Sequence, residues 1–236
     1  MKWKLFACLA FLSLTLPVMA QQSEMEENLN TGSDAVRLQK LLALGAKQES
    51  AELASGAELR WREIRSDSPQ KMALLFAPCG AVYSSFLYLL KSTDHGWRIV
   101  DDVGFDCHYD NKVSFEVVPL RLPNVDDVLV HHECEEHGTG FVKQNFNVFV
   151  IISSRFTLVL NAEEIVRASG WPGGGELDQQ SVFATMPTAG AGSKIIEETR
   201  TINENGNFTV EKRDFRWSRM RSRFIPSKFV KVKQSG

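Results

Sequence analysis

Thr199-Arg200-Thr201-Ile202-Asn203-Glu204-Asn205-Gly206-Asn207-Phe208-Thr209-Val210 is the stretch that decides the fold class. Two runs rich in β-branched and aromatic residues flank Asn205-Gly206, a dipeptide that suits a type I′ turn because both central residues need positive φ. A β-hairpin is therefore expected here. A second is expected where Gly138-Thr139-Gly140 separates a strand pattern ending at Cys134 from one beginning at Asn145.

The same pattern extends over most of the chain. Short runs of Val, Ile, Phe, Tyr and Thr, punctuated by Gly, Pro, Asn and Asp, predict strands at 59–65, 72–77, 83–91, 97–103, 113–119, 127–134, 145–152, 156–160, 194–203 and 208–217. The expected class is all-β, built mainly of antiparallel sheets as a meander, a partial propeller-like array or a sandwich, with one N-terminal α-helix. That helix is expected over 34–55, capped by Asp34, with Val36, Leu38, Leu41, Leu42 and Leu44 at helical spacing and a break near Gly45. The remaining segments read as a flexible polar leader (21–33), an antiparallel β domain (56–166), a Gly/Pro-rich loop or linker containing Trp171 (167–193) and a basic C-terminal β-hairpin region (194–236).

Residues 1–20 have the order of a cleavable secretory signal peptide: Lys2 and Lys4, an apolar stretch from Leu5 to Leu16, then Val18-Met19-Ala20 as the cleavage site. The apolar stretch falls short of the roughly 20 residues a spanning helix needs. The expected product is exported, periplasmic or extracellular, soluble and without a membrane span. Without Lys2 and Lys4, 25 basic residues face 29 acidic ones, a net charge of −4. Cys79, Cys107 and Cys134 would then be the remaining cysteines, so one disulfide and one leftover thiol are expected, with all three pairings open.

Ala73-Leu-Leu-Phe-Ala-Pro-Cys79 aligns with Val128-Leu-Val-His-His-Glu-Cys134 at a shift of 55 residues, and the strands that follow each also correspond. With Asn124-Val-Asp-Asp-Val-Leu-Val130 and Gly138-Thr-Gly140, this part of the chain resembles FG-GAP or VCBS-type β-propeller blades. The resemblance covers about a quarter of the chain and implies blades of three or four antiparallel strands. The Asp-rich calcium loop typical of those repeats is missing.

His131-His-Glu-Cys-Glu-Glu-His137 is the densest polar cluster. On a strand, His131, Glu133 and Glu135 share one face and His132 and Cys134 the other. His131, Glu133 and His137 are thus candidate ligands for a zinc-like metal, the only cofactor the sequence suggests, and would make the chain a metal-dependent hydrolase. The competing reading puts Val128, Val130, His132 and Cys134 against the core and leaves the other face solvated. No nucleophile elbow and no His-Glu-x-x-His motif is present.

From Glu211 to Gly236, nine basic residues face two acidic ones, leaving −11 on the rest of the mature chain. Arg216, Trp217, Arg219, Arg221 and Arg223 are candidate contacts for an anionic envelope glycan or lipid surface, and export argues against nucleic acid. The same alternation also fits a plain hairpin with aromatics inward and arginines outward, turning near 218–222. The sequence thus points to an exported, non-catalytic binding or envelope-associated protein, with a metal-dependent hydrolase or a structural envelope protein as alternatives.

Overall fold

The computed structural model describes residues 24–78, 84–106, 110–136, 141–168, 179–187, 193–202 and 208–232. It is a mainly antiparallel all-β structure with a small N-terminal helical region, as its sequence predicts. The helical region comprises α1 (24–30), α2 (Asp34–Ala43) and α3 (Gln48–Ala54). A first sheet follows in the order β1 (Arg60–Ile64), β2 (Met72–Ala77), β3 (Ser84–Thr93) and β4 (Gly96–Asp106). The second sheet runs in sequence order through β5 (Asp110–Leu122), β6 (Val125–Glu136), β7 (Phe141–Ile152), β8 (Arg155–Ala168), β9 (Gln179–Pro187), β10 (Ser193–Ile202), β11 (Phe208–Ser218) and β12 (Arg223–Pro226). A two-residue β13 (Val230–Lys231) also pairs with β11.

Strand periodicity explains how the layers stack. All six residues of β2 are buried, because successive side chains serve opposite cores. Ala73, Leu75 and Ala77, with Phe86, Tyr88 and Leu90 of β3, meet the helices through Leu41, Ala51 and Ala54. Met72, Leu74 and Phe76, with Leu87 and Leu89, meet Val128, Val130, Phe149 and Ile151 of the second sheet. A third core lies on the second sheet's other face. There Leu120, Leu129, Phe146 and Val148 pack with Ile195, Phe215 and Phe224 from its far strands. Phe146 stacks on Phe183 at 4.4 Å, and the Ser193 hydroxyl donates to the Pro119 carbonyl at 3.2 Å. The second sheet therefore curls so that β10 returns to β5.

Several sequence expectations need correction. The segment expected as a flexible leader is helical over 24–30. Polar side chains fasten it: Asn30 donates to the Leu59 carbonyl and accepts from the Leu59 N–H, and Glu26 accepts from the Trp61 N–H. The break expected near Gly45 divides the 34–55 segment into two helices, α2 and α3, and the Gly45 φ of 96° suits glycine. Ser33, not Asp34, occupies the N-cap position. Within the expected loop at 167–193, β8 extends to Ala168 and β9 forms a further strand that pairs with β10 over nine residues. The strands of the 194–236 region continue the second sheet, with β9 between them and the β5–β8 strands.

The hairpin expectation is met in its strands. Ile202 pairs with Phe208, while 203–207 and the Gly138-Thr-Gly140 turn lie outside the described residues, as does Trp171. β2–β3–β4 and β6–β7–β8, which correspond at shifts of 55, 62 and 59 residues, are each three consecutive antiparallel strands.

Candidate functional site

Residues of the His131–His137 segment divide between two faces of β6. His132 joins Val128 and Val130 toward the first sheet, its ring edge-on to Phe105 at 5.6 Å. Its Nε2 is buried without a hydrogen bond to any described residue, and burial holds its pKa below the ordinary imidazole value. His131 and Glu133 lie on the opposite face. That face is not the solvated surface expected from sequence, because Leu129 on it is buried in the third core and the His131 ring lies 5.2 Å from Phe146.

A β-bulge builds the surroundings of His131. In the β7–β8 ladder Gln144 pairs with Ile165 and Asn145 with Glu163, so Glu164 is an extra residue that bulges from the strand. Its carboxylate, 6 % exposed, places both oxygens 2.9 Å from His131 Nδ1 and accepts from the Gln144 amide at 2.7 Å. The hydrogen bond to Glu164 raises the His131 pKa against the opposing effect of burial, helped by the charges of Glu164 and Glu116. With Nδ1 held by Glu164, Nε2 is the nitrogen left for a ligand.

His131 lines a recess of about 450 Å³ where one end of the first sheet meets β5, β6 and β7. Arg60, Phe76, Pro78 and Ser85 contribute from the first sheet, and Lys112, Val113, Ser114, Glu133 and Gln144 from the second. Val113 and Ser114 are neighbours on a strand and point to opposite faces, so the recess wraps the edge of β5, the end strand of its sheet. Ser85 is 1 % exposed, and its Oγ has no hydrogen-bond partner among the described residues. An unsatisfied buried hydroxyl costs about 1–3 kcal/mol.

The proposed metal ligands are not assembled among the described residues. His131 is bound to Glu164, Glu133 pairs with Lys112 at 2.9 Å, and His137 lies outside the described residues. No group of three or more His, Cys, Asp or Glu side chains able to hold a metal occurs among the described residues.

The basic C-terminal candidates occupy another part of the molecule. β11 and β12 form the expected hairpin through residues 219–222, with Ser222 at φ 48°. Trp217 points inward, edge-on to Phe224 at 5.4 Å and beneath Arg121, whose guanidinium lies 5.6 Å from the ring centre. It is therefore half-buried against the third core and separate from the arginines. Arg216, Arg219, Arg221 and Arg223 are exposed; Arg216 reaches Asp214 at 3.5 Å, and the other three form no ion pair among the described residues.

Alternate connections of an antiparallel meander fall at the same end. The β11–β12 tip therefore shares its end with the β5–β6 and β7–β8 tips, and contacts across that end agree. Arg121 reaches the Ile151 carbonyl at 3.4 Å as well as Trp217, and Ser193 reaches Pro119. Leu122, Ile152 and Met186 are exposed there, and Met220 at the β11–β12 tip is 96 % exposed. Sequence reading identified the arginines but not these apolar tips, which become neighbours only through the topology.

No helix among the described residues is long and apolar enough to cross a membrane. Fold and site define an antiparallel two-sheet protein with a basic, apolar-tipped end and a polar recess. Comparison with protein-family models, with curated proteins and with solved structures gives no match.

Proposed function

We propose that the chain is an exported, non-catalytic binding protein of the cell envelope that docks on anionic lipid headgroups through the β11–β12 end of its second sheet. The observation that carries this reading is the tip itself, where Met220 projects into solvent between Arg219 and Arg221, with Arg223 beside them. An exposed flexible thioether gains by entering an apolar layer, and guanidinium groups pair with phosphate. Lipid is favoured over glycan because Leu122, Ile152 and Met186 add apolar surface at the same end. Export is supported by the order of residues 1–20.

Co-sedimentation with phosphatidylglycerol and phosphatidylcholine vesicles tests the reading. Binding is expected to the anionic vesicles alone and to weaken as salt rises, because exposed charges are screened. With about 1 kcal/mol per arginine near an anionic surface, replacing Arg219, Arg221 and Arg223 by Gln should weaken binding about 100-fold. Equal binding to both vesicles, or retention on anionic glycan without lipid binding, would overturn it.

A further inference from the structure

We propose that the recess at the edge of β5 is a separate binding site for a small organic carboxylate, whose charged group meets Arg60 and His131 and whose apolar part lies on Phe76 and Val113. This inference does not rest on the lipid-docking reading. Its volume of about 450 Å³ falls within the ~300–1,000 Å³ typical of small-molecule sites. Ser85 supplies an independent indication of a ligand, because it lines the recess and its buried hydroxyl has no partner among the described residues.

The sign of the ligand follows from which charges are already engaged. Glu133 is paired with Lys112, and Glu164 is occupied by His131 and Gln144. Arg60 has no ion-pair partner among the described residues, so the uncompensated charge of the lining is positive. With its Nδ1 hydrogen donated to Glu164, a protonated His131 has its Nε2–H as a further donor. A guanidinium, an imidazolium and a hydroxyl around one recess form a donor set suited to a carboxylate. Phe76 and Val113 offer apolar surface within the same recess. The bulge at Glu164 accounts for the site's rigidity, since it fixes the ring from the side away from the ligand.

The full-length exported protein should be titrated with 3-phenylpropionate and, in parallel, with its uncharged analogue 3-phenylpropanamide, following the His131 ring signals by NMR. The expected result is a saturable shift with the carboxylate, at least ~tenfold tighter than with the amide. Arg60→Gln, at an exposed position, should weaken binding by a similar factor. Ser85→Ala separates a site from a packing defect: it should leave the fold as stable or more so, yet weaken the carboxylate several-fold. No saturable shift up to ~20 mM, an equal response to the amide, or unchanged affinity in both variants would overturn the proposal.

Discussion

His131 and Asp127 lie on the same strand and show how differently one fold treats two ionisable side chains. Glu164 raises the His131 pKa, with Glu116 adding to the effect, while the nearby Lys112 and Glu133 pair with each other. A raised imidazole pKa means that protonated His131 stabilises the fold fully below its unfolded value of about 6.5, and that this contribution is lost as pH rises through the folded value. NMR titration should therefore place the His131 midpoint above that of a free histidine, and Glu164→Gln should lower it; a midpoint indifferent to the substitution would contradict the assigned pair. Asp127 is fully buried, and burial pushes its carboxyl up to about 6 against the pull of Arg121, whose Nε lies 2.7 Å away. Its proton is thus held more tightly folded than unfolded. The stabilisation is present below pH ~4 and is lost as pH rises toward ~6, an effect of up to ~3 kcal/mol. Denaturant unfolding at pH 4 and pH 7 should show this fall in the wild type and a smaller one in Asp127→Asn. Equal falls would remove Asp127 as the source.

At the scale of elements, the helices are joined to the first sheet by apolar packing and by hydrogen bonds, of which the one from Tyr88 is buried. Tyr88 of β3 donates from its hydroxyl to the Ser50 carbonyl of α3 at 2.9 Å, and burial raises its pKa to about 12. Tyr88→Phe should lower stability by about 1 kcal/mol, a hydrogen bond's worth plus the carbonyl left behind, while the ring keeps its packing. A loss below a few tenths would show that water replaces the bond. Elements with strong composition were legible from sequence: β2, β3 and the apolar part of β6 are β-branched or aliphatic runs that can only be buried. β9 was not, because Pro, Ala, Thr and neighbouring Gly dilute its pattern and its pairing comes from β10. α1 was missed because its apolar face is only Met25 and Leu29, too short a pattern to read, and Glu26 and Asn30 complete its attachment through hydrogen bonds to backbone. For the recess, sequence singled out His131 and Glu133 but not Glu164, since a one-residue bulge is invisible to a period-two reading. Arg60 and Ser85 reach the recess from a different sheet, a proximity that only the tertiary fold supplies.

At the scale of the whole molecule, charge and shape separate. Residues 21–236 carry −4 overall, yet +7 of basic excess is concentrated after residue 210. The curled second sheet brings part of that excess to an end already bearing exposed Leu122, Ile152, Met186 and Met220. An acidic body would be repelled by an anionic membrane while the basic end is attracted, so the field itself orients the approach. The recess lies elsewhere, where the start of β1 and the end of β2 meet β5. A molecule docked as proposed would therefore keep a second surface free for a small ligand.

Contact between the β11–β12 tip and lipid can be measured directly by replacing Met220 with tryptophan and recording the added emission against wild type in vesicles containing brominated phosphatidylglycerol. The account predicts a blue-shifted difference spectrum that the brominated chains quench, and none of either with zwitterionic vesicles. Emission that stays that of a solvent-exposed indole on anionic vesicles, although the protein is bound to them, would show that another surface makes the contact and would contradict the proposed docking end.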